Sequence, residues 1–205
     1  MTARPPAATE PRPEPRLLDD AAAGPEANVW WGVMGLIVIE TVVFGTLIVS
    51  YFYYKASIAN WPSEDPPALL LPSINTLVLV LSSLAIWTAD RGIARGSQTR
   101  LRLGLLASIV LAVVFLVLKA IELREKPYRW DDHAYGSIVW TMLGLHALHV
   151  TSVFLKSCTM AVLAFKGFFT RHSYVGVQVN GLYWHFVVVI WIPIFLTIYL
   201  SPRLG

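Results

Sequence analysis

Charge is scarce in this chain. Lys, Arg, Asp and Glu together make up 14% of its 205 residues, where a soluble domain carries about 25%, and that deficit excludes an ordinary water-soluble fold. Cysteine is rarer still, because Cys158 stands alone. This excludes an intrachain disulfide and any cysteine-based metal motif, and its apolar surroundings mark it as a packing residue. The formal net charge is only +3, and no Lys/Arg cluster is interleaved with exposed aromatics, so nucleic acid is not an expected partner. The ten-residue alternation that membrane barrels need is missing too. Residues 1–27, rich in Pro, Ala and charge, hold no apolar run that could serve as a signal-peptide core. They read as a disordered or loosely bound cytoplasmic tail.

What the chain does have is apolar length. Hydrophobic residues make up 56% of it, and five segments approach or exceed the ~20 residues needed to cross the hydrocarbon core as helix: 29–54, 69–89, 103–121, 134–165 and 182–200. The expected fold is all-α, a polytopic membrane protein built as a five-transmembrane-helix bundle over residues 28–205. Trp30, Trp31, Trp61, Trp87, Trp130 and Tyr128 fall near segment ends, where amphipathic rings favour the headgroup region. Basic residues orient the bundle. With the N-terminus in the cytoplasm, nine Lys and Arg lie in inside segments and five in outside ones, so N-inside and C-outside is the expected topology.

Ionisable groups inside spans are costly and are functional candidates by default. They are Glu40 in the first span, Lys119 and Glu122 at the outer end of the third, His146 and His149 in the fourth, and His185 in the fifth. Glu40 sits ~16 Å into its helix, near mid-membrane, where a carboxyl group is protonated or paired with a donor such as imidazole. His146 and His149 are ~60° apart around one helix and face one side. That spacing cannot put them on opposite faces of one haem. A haem bridging His149 and His185 is geometrically open, whereas a metal site drawn from His146, His149, His185 and Glu40 is weaker. Histidines bonded between helices are the favoured reading, with Glu40 the first candidate partner. Lys119 and Glu122, spaced i,i+3, read as an exposed or snorkelling pair at the interface.

Five motifs in order carry a resemblance: G-x-M-x-x-x-x-I-E from Gly32 to Glu40, L-P-S-I-N-T-L from Leu71 with Ser82 and Ser83, F-L-V-L-K-A-I-E from Phe115, Y-G-S-I-V-W-T-M-L-G-L-H-A-L-H-V from Tyr135, and Y-W-H-F from Tyr183. Together they resemble subunit III of the haem-copper cytochrome c oxidases, in its short five-helix bacterial form. The resemblance implies a subunit of an aerobic respiratory oxidase with no catalytic residue and no metal of its own. It also implies a place in the bacterial cytoplasmic membrane, with haem and copper in partner subunits. Oxidase subunit I is the implied main partner, with subunit II, other respiratory-complex subunits and phospholipids beside it. The implied roles are assembly, lipid binding and support of proton uptake. Glu40 becomes the membrane carboxyl of the first shared helix, and His146 and His149 the paired histidines. Three positions depart from the pattern: Ile39 where Ser is frequent, Lys119 where Gln is, and Val188 where an Asp is common. The alternatives are a subunit III-like component of a quinol oxidase or nitric oxide reductase and, from another class, a haem-binding membrane electron carrier.

Overall fold

A computed structural model describes residues 28–62, 67–171 and 173–204. The tail 1–27 lies outside the described residues. Five helices follow in order: α1 (Asn28–Ser57), α2 (Leu70–Ala94), α3 (Gln98–Arg124), α4 (Ala134–Phe165) and α5 (Val175–Phe195). All five are long and apolar enough to cross a membrane. α5 contains Pro193 and runs on into a π-helical turn, Leu196–Leu200. The missing proline N–H frees the carbonyl of Val189, one turn before Pro193, so the π turn lies beyond the proline's own gap in the ladder.

Local chemistry sets the ends. Gly96 and Gly167 take positive φ values of 77° and 79°, which a residue without Cβ adopts at little cost. At Gly96 the chain closes α2 with Gly96 N–H donating to Ile93 O and Ser97 N–H to Gly92 O, at 2.8 Å each. α4 ends the same way, with Gly167 N–H on Ala164 O and Phe168 N–H on Leu163 O. These paired bonds satisfy last-turn carbonyls and reverse the chain. At the other ends, the Ser97 hydroxyl accepts from Arg100 N–H, and His133 Nδ1 accepts from Gly136 N–H at 2.9 Å. Each supplies an acceptor to a first-turn donor.

α2 and α3 form the tightest antiparallel pair. A Cβ added at Gly104 would lie 2.7 Å from both Ala85 O and Ala89 N, so the two backbones meet there. Small residues at helix crossings are how membrane helices approach closely without a hydrophobic driving force. α5 touches α1, α2 and α4, while α4 also packs on α3. α1 is the outlier, with only Phe44 and Tyr51 fully covered by the rest of the chain.

The interior is apolar as in a soluble protein, but the outer surface is apolar too and several polar side chains are buried. Val38, Ile39, Val42, Leu148 and Val189 are exposed, whereas Asn75, Ser82, Ser108, Lys119, His146 and Ser157 are buried. Apolar groups face outward because hydrocarbon is their solvent, and polar groups turn inward because only the bundle can bond them.

Candidate functional site

Glu40, His149 and Tyr183 come together from α1, α4 and α5. The Tyr183 hydroxyl donates to Glu40, 2.7 Å from Oε1 and 2.8 Å from Oε2, a single proton shared between both oxygens. His149 Nε2 lies 3.3 Å from Glu40 Oε1, and His149 Nδ1 is 2.7 Å from Leu145 O. A carbonyl can only accept, so Nδ1 carries a proton and donates it. The second ring nitrogen, Nε2, is thereby the one turned to the Glu40 carboxyl group. Lys156 Nζ lies over the Tyr183 ring, 4.3 Å from its centroid.

His146 lies ~60° away on the same helix, and that angle sends it elsewhere. It is fully buried. Its Nε2 donates to Val187 O of α5 at 3.1 Å, and its Nδ1 has no hydrogen-bond partner among the described residues. The ring packs on Trp191, with centroids 4.7 Å apart, and edge-on to Phe115 and Phe44. Of the two imidazoles named as partners for Glu40, His149 reaches it and His146 does not. His185 turns away from both, and its Nδ1 lies 2.6 Å from Ser83 Oγ on α2. Residues 183 and 185 are ~200° apart around α5, so when Tyr183 faces α1, His185 must face α2. This separation removes the shared point on which a haem between His149 and His185 depended. Among the described residues, no three His, Cys, Asp or Glu side chains are grouped to hold a metal ion.

A second network lies towards the end of α3. Lys119 Nζ lies 2.6 Å from Glu122 Oε2, and Lys126 Nζ lies 3.7 Å from Oε1. The Tyr199 hydroxyl also donates to Glu122 Oε1. The expected exposed or snorkelling pair is instead buried, with Lys119 1% and Glu122 7% accessible. The cause is α5, whose Trp191 and Tyr199 rings cover the ammonium at 4.3 and 5.8 Å. Lys126, in the segment after α3, is pushed below the ordinary lysine value by burial, with Glu122 acting against that shift. Two lysines thus depend on one carboxylate.

Sequence reasoning missed Asp90. Ending the second span at residue 89 places this acid in a loop, but α2 continues to Ala94. One signal was available, since no proline occurs between Asp90 and Gly96. The Asp90 Oδ1 is buried without a partner among the described residues, and the carboxylate lies against Gly181 of α5, where an added Cβ would collide with it. Gly181→Ala is therefore expected to destabilise by about 1–2 kcal/mol, a usual cost of overpacking. Asp90→Ala in the same chain should restore most of that loss, and a double-mutant cycle in thermal unfolding reads the coupling. Additive effects would show that the two sites do not touch.

A family profile described as cytochrome c oxidase subunit III matches residues 23–202. Similar chains include cytochrome c oxidase subunit 3 of Anopheles gambiae, 30% identical over 179 residues that cover 82% of this chain and 68% of that one. Subunit 3 of Synechocystis sp. is 29% identical over 173 residues, covering 83% and 74%. Subunit 3 of Syncerus caffer is 34% identical over 178 residues, covering 81% and 67%.

Proposed function

Because this chain belongs to the cytochrome c oxidase subunit III family, and so to an oxidase complex, we propose that it is the non-catalytic third subunit of a bacterial haem-copper oxidase. It packs beside subunit I, with subunit II in the same complex, and supports assembly, lipid retention and proton uptake. The family generally lacks redox cofactors, and haem and copper are assigned to the partner subunits. The observation that carries this reading is the pairing of polar side chains at depth: Glu40 with His149 and Tyr183, His185 with Ser83, and Lys119 with Glu122. Such pairing suits a scaffold next to a catalytic subunit. The contact of Glu40 with His149 at 3.3 Å is the feature on which a proton-linked role rests.

The membrane assigned is the bacterial cytoplasmic one, supported by the resemblance to the short bacterial form. Basic residues place the N-terminus inside and the C-terminus outside. With that orientation, the end carrying Arg91, Arg95 and Arg100 is cytoplasmic, and the Lys119–Glu122 network lies towards the outside.

Purification of the chain from its native membrane tests the assignment. The expected result is co-recovery of a larger subunit bearing haem and copper, with oxidation of reduced cytochrome c by the complex. Oxidation of quinol alone, or reduction of nitric oxide, would move the chain to one of those branches. Recovery of the chain alone with a reducible Soret band would make it the haem carrier instead.

A further inference from the structure

One feature at the arginine-bearing end of the bundle has no part in the networks above. A groove of about 490 Å³ runs between α2 and α3, within the ~300–1,000 Å³ range of small-ligand sites. Its two halves differ in chemistry. At the helix ends it is lined by Arg91, Arg95 and Arg100, and deeper in by Ala85, Leu103, Gly104 and Ala107. From Arg95 to Ala85 is ten residues of α2, or ~15 Å at 1.5 Å per residue, so the lining passes from cationic to apolar over half a bilayer. The floor is open because it is built from small side chains.

The charge has no counter-ion among the described residues. None of the three arginines is in an ion pair among the described residues, and all three are exposed. Asp90, next to Arg91 in sequence, is turned against Gly181 on the other side of α2. Arg91 is also held in place, its guanidinium 3.9 Å from the centroid of the Trp87 ring, which itself lines the groove. Trp beside a basic cluster is the pairing found at the headgroup level of a membrane, and basic pockets between spanning helices bind anionic headgroups.

We propose that this groove binds one anionic glycerophospholipid of the leaflet at that end, with its phosphate on Arg91, Arg95 and Arg100 and an acyl chain along Ala85, Gly104 and Ala107. A zwitterionic lipid carries its own cation beside the phosphate and so matches three arginines less well, and a free anion would leave the apolar half empty. The inference rests on the chain crossing a membrane and on the orientation proposed above for assigning the leaflet. It does not depend on which oxidase branch the complex belongs to.

The test uses the intact complex, purified in mild detergent and examined by native mass spectrometry. Wild type should retain one phosphatidylglycerol-class lipid per copy of this chain. Arg91→Gln/Arg95→Gln/Arg100→Gln should bind it about a hundredfold more weakly, the factor expected for losing three basic contacts at a membrane surface. Ala107→Trp, which fills the apolar half and leaves the arginines in place, should lose it as well. Delipidated wild type should regain its thermal midpoint with phosphatidylglycerol, and not with phosphatidylcholine or inorganic phosphate. Equal retention in wild type and both variants overturns the proposal, as does equal rescue by phosphatidylcholine. Rescue by inorganic phosphate alone makes the groove an ion site and also overturns it. Loss of a polypeptide instead of a lipid from the triple variant would identify an acidic partner segment as the occupant. Failure here with haem and copper still co-purifying leaves the subunit assignment standing, so the two failures are distinguishable.

Discussion

Glu122→Gln is expected to destabilise the chain by about 3–5 kcal/mol, the range found when one partner of a buried ion pair is removed and the other charge is left behind. Here the penalty falls on two cations, because Lys119 and Lys126 both face Glu122 and Lys119 is 1% accessible. The converse change is expected to be much milder. Lys119→Met leaves Glu122 with Lys126 and with the Tyr199 hydroxyl, and methionine fills the same space against Trp191. Lys119→Met/Glu122→Gln should therefore recover the part of the loss that Lys119 carries, while Lys126 stays without its carboxylate. Unfolding of the purified chain in mixed micelles, followed by tryptophan fluorescence, measures all three. Equal losses for the two single variants would mean that the carboxylate is not the common partner.

The second large effect is steric. Gly104→Leu places a side chain where even a Cβ would sit 2.7 Å from Ala85 O and Ala89 N, and backbone atoms cannot swing aside as side-chain ends do. α2 and α3 must separate along their tightest contact, at a cost of about 3 kcal/mol or more, the upper end for overpacking. The same unfolding experiment should find Gly144→Ala or Gly45→Ala close to wild type, since nothing lies within 4 Å of a Cβ at either position. A tolerated Gly104→Leu would show that the α2/α3 crossing is loose. It would also undermine the groove, whose floor includes Gly104.

The departures from the family pattern acquire physical meaning from these networks. Lys119, standing where Gln is frequent, would be an unpaired charge in hydrocarbon were it not for Glu122 one turn away and the rings of α5 above it. The i,i+3 spacing was legible in the sequence, but the covering residues were not. Trp191 and Tyr199 lie more than 70 positions further along the chain, and only packing brings them to α3. Val188, where an Asp is common, is 7% accessible and brings no polar group needing a partner.

The chemical pairing of Glu40 shows the same division. Its depth in α1 and its need for a donor followed from helix rise and the cost of burying a charge. Choosing His149 over His146 required the rotation of α4, and Tyr183 as a third member required α5. Tyr183 was visible in the Y-W-H-F motif, yet a tyrosine near a span end also reads as an interface anchor, so composition alone did not single it out. The error at Asp90 was one of boundary. Hydropathy windows stop at the first charges, whereas a helix ends where its backbone turns, and that turn is at Gly96.

The sequence by itself determined the all-α class, the number of spans, their order and the family. Each of these is carried by local composition: apolar length sets a span, glycine and capping residues set its ends, and short motifs recur in order. Only the tertiary structure decided which imidazole meets Glu40, why His185 cannot join it, how Lys119 is covered and where the arginines line a groove. Those outcomes depend on the rotation and close approach of helices far apart in sequence. Side-chain contacts between such helices change within one residue's turn of about 100°, an angle that hydropathy along a single chain does not encode.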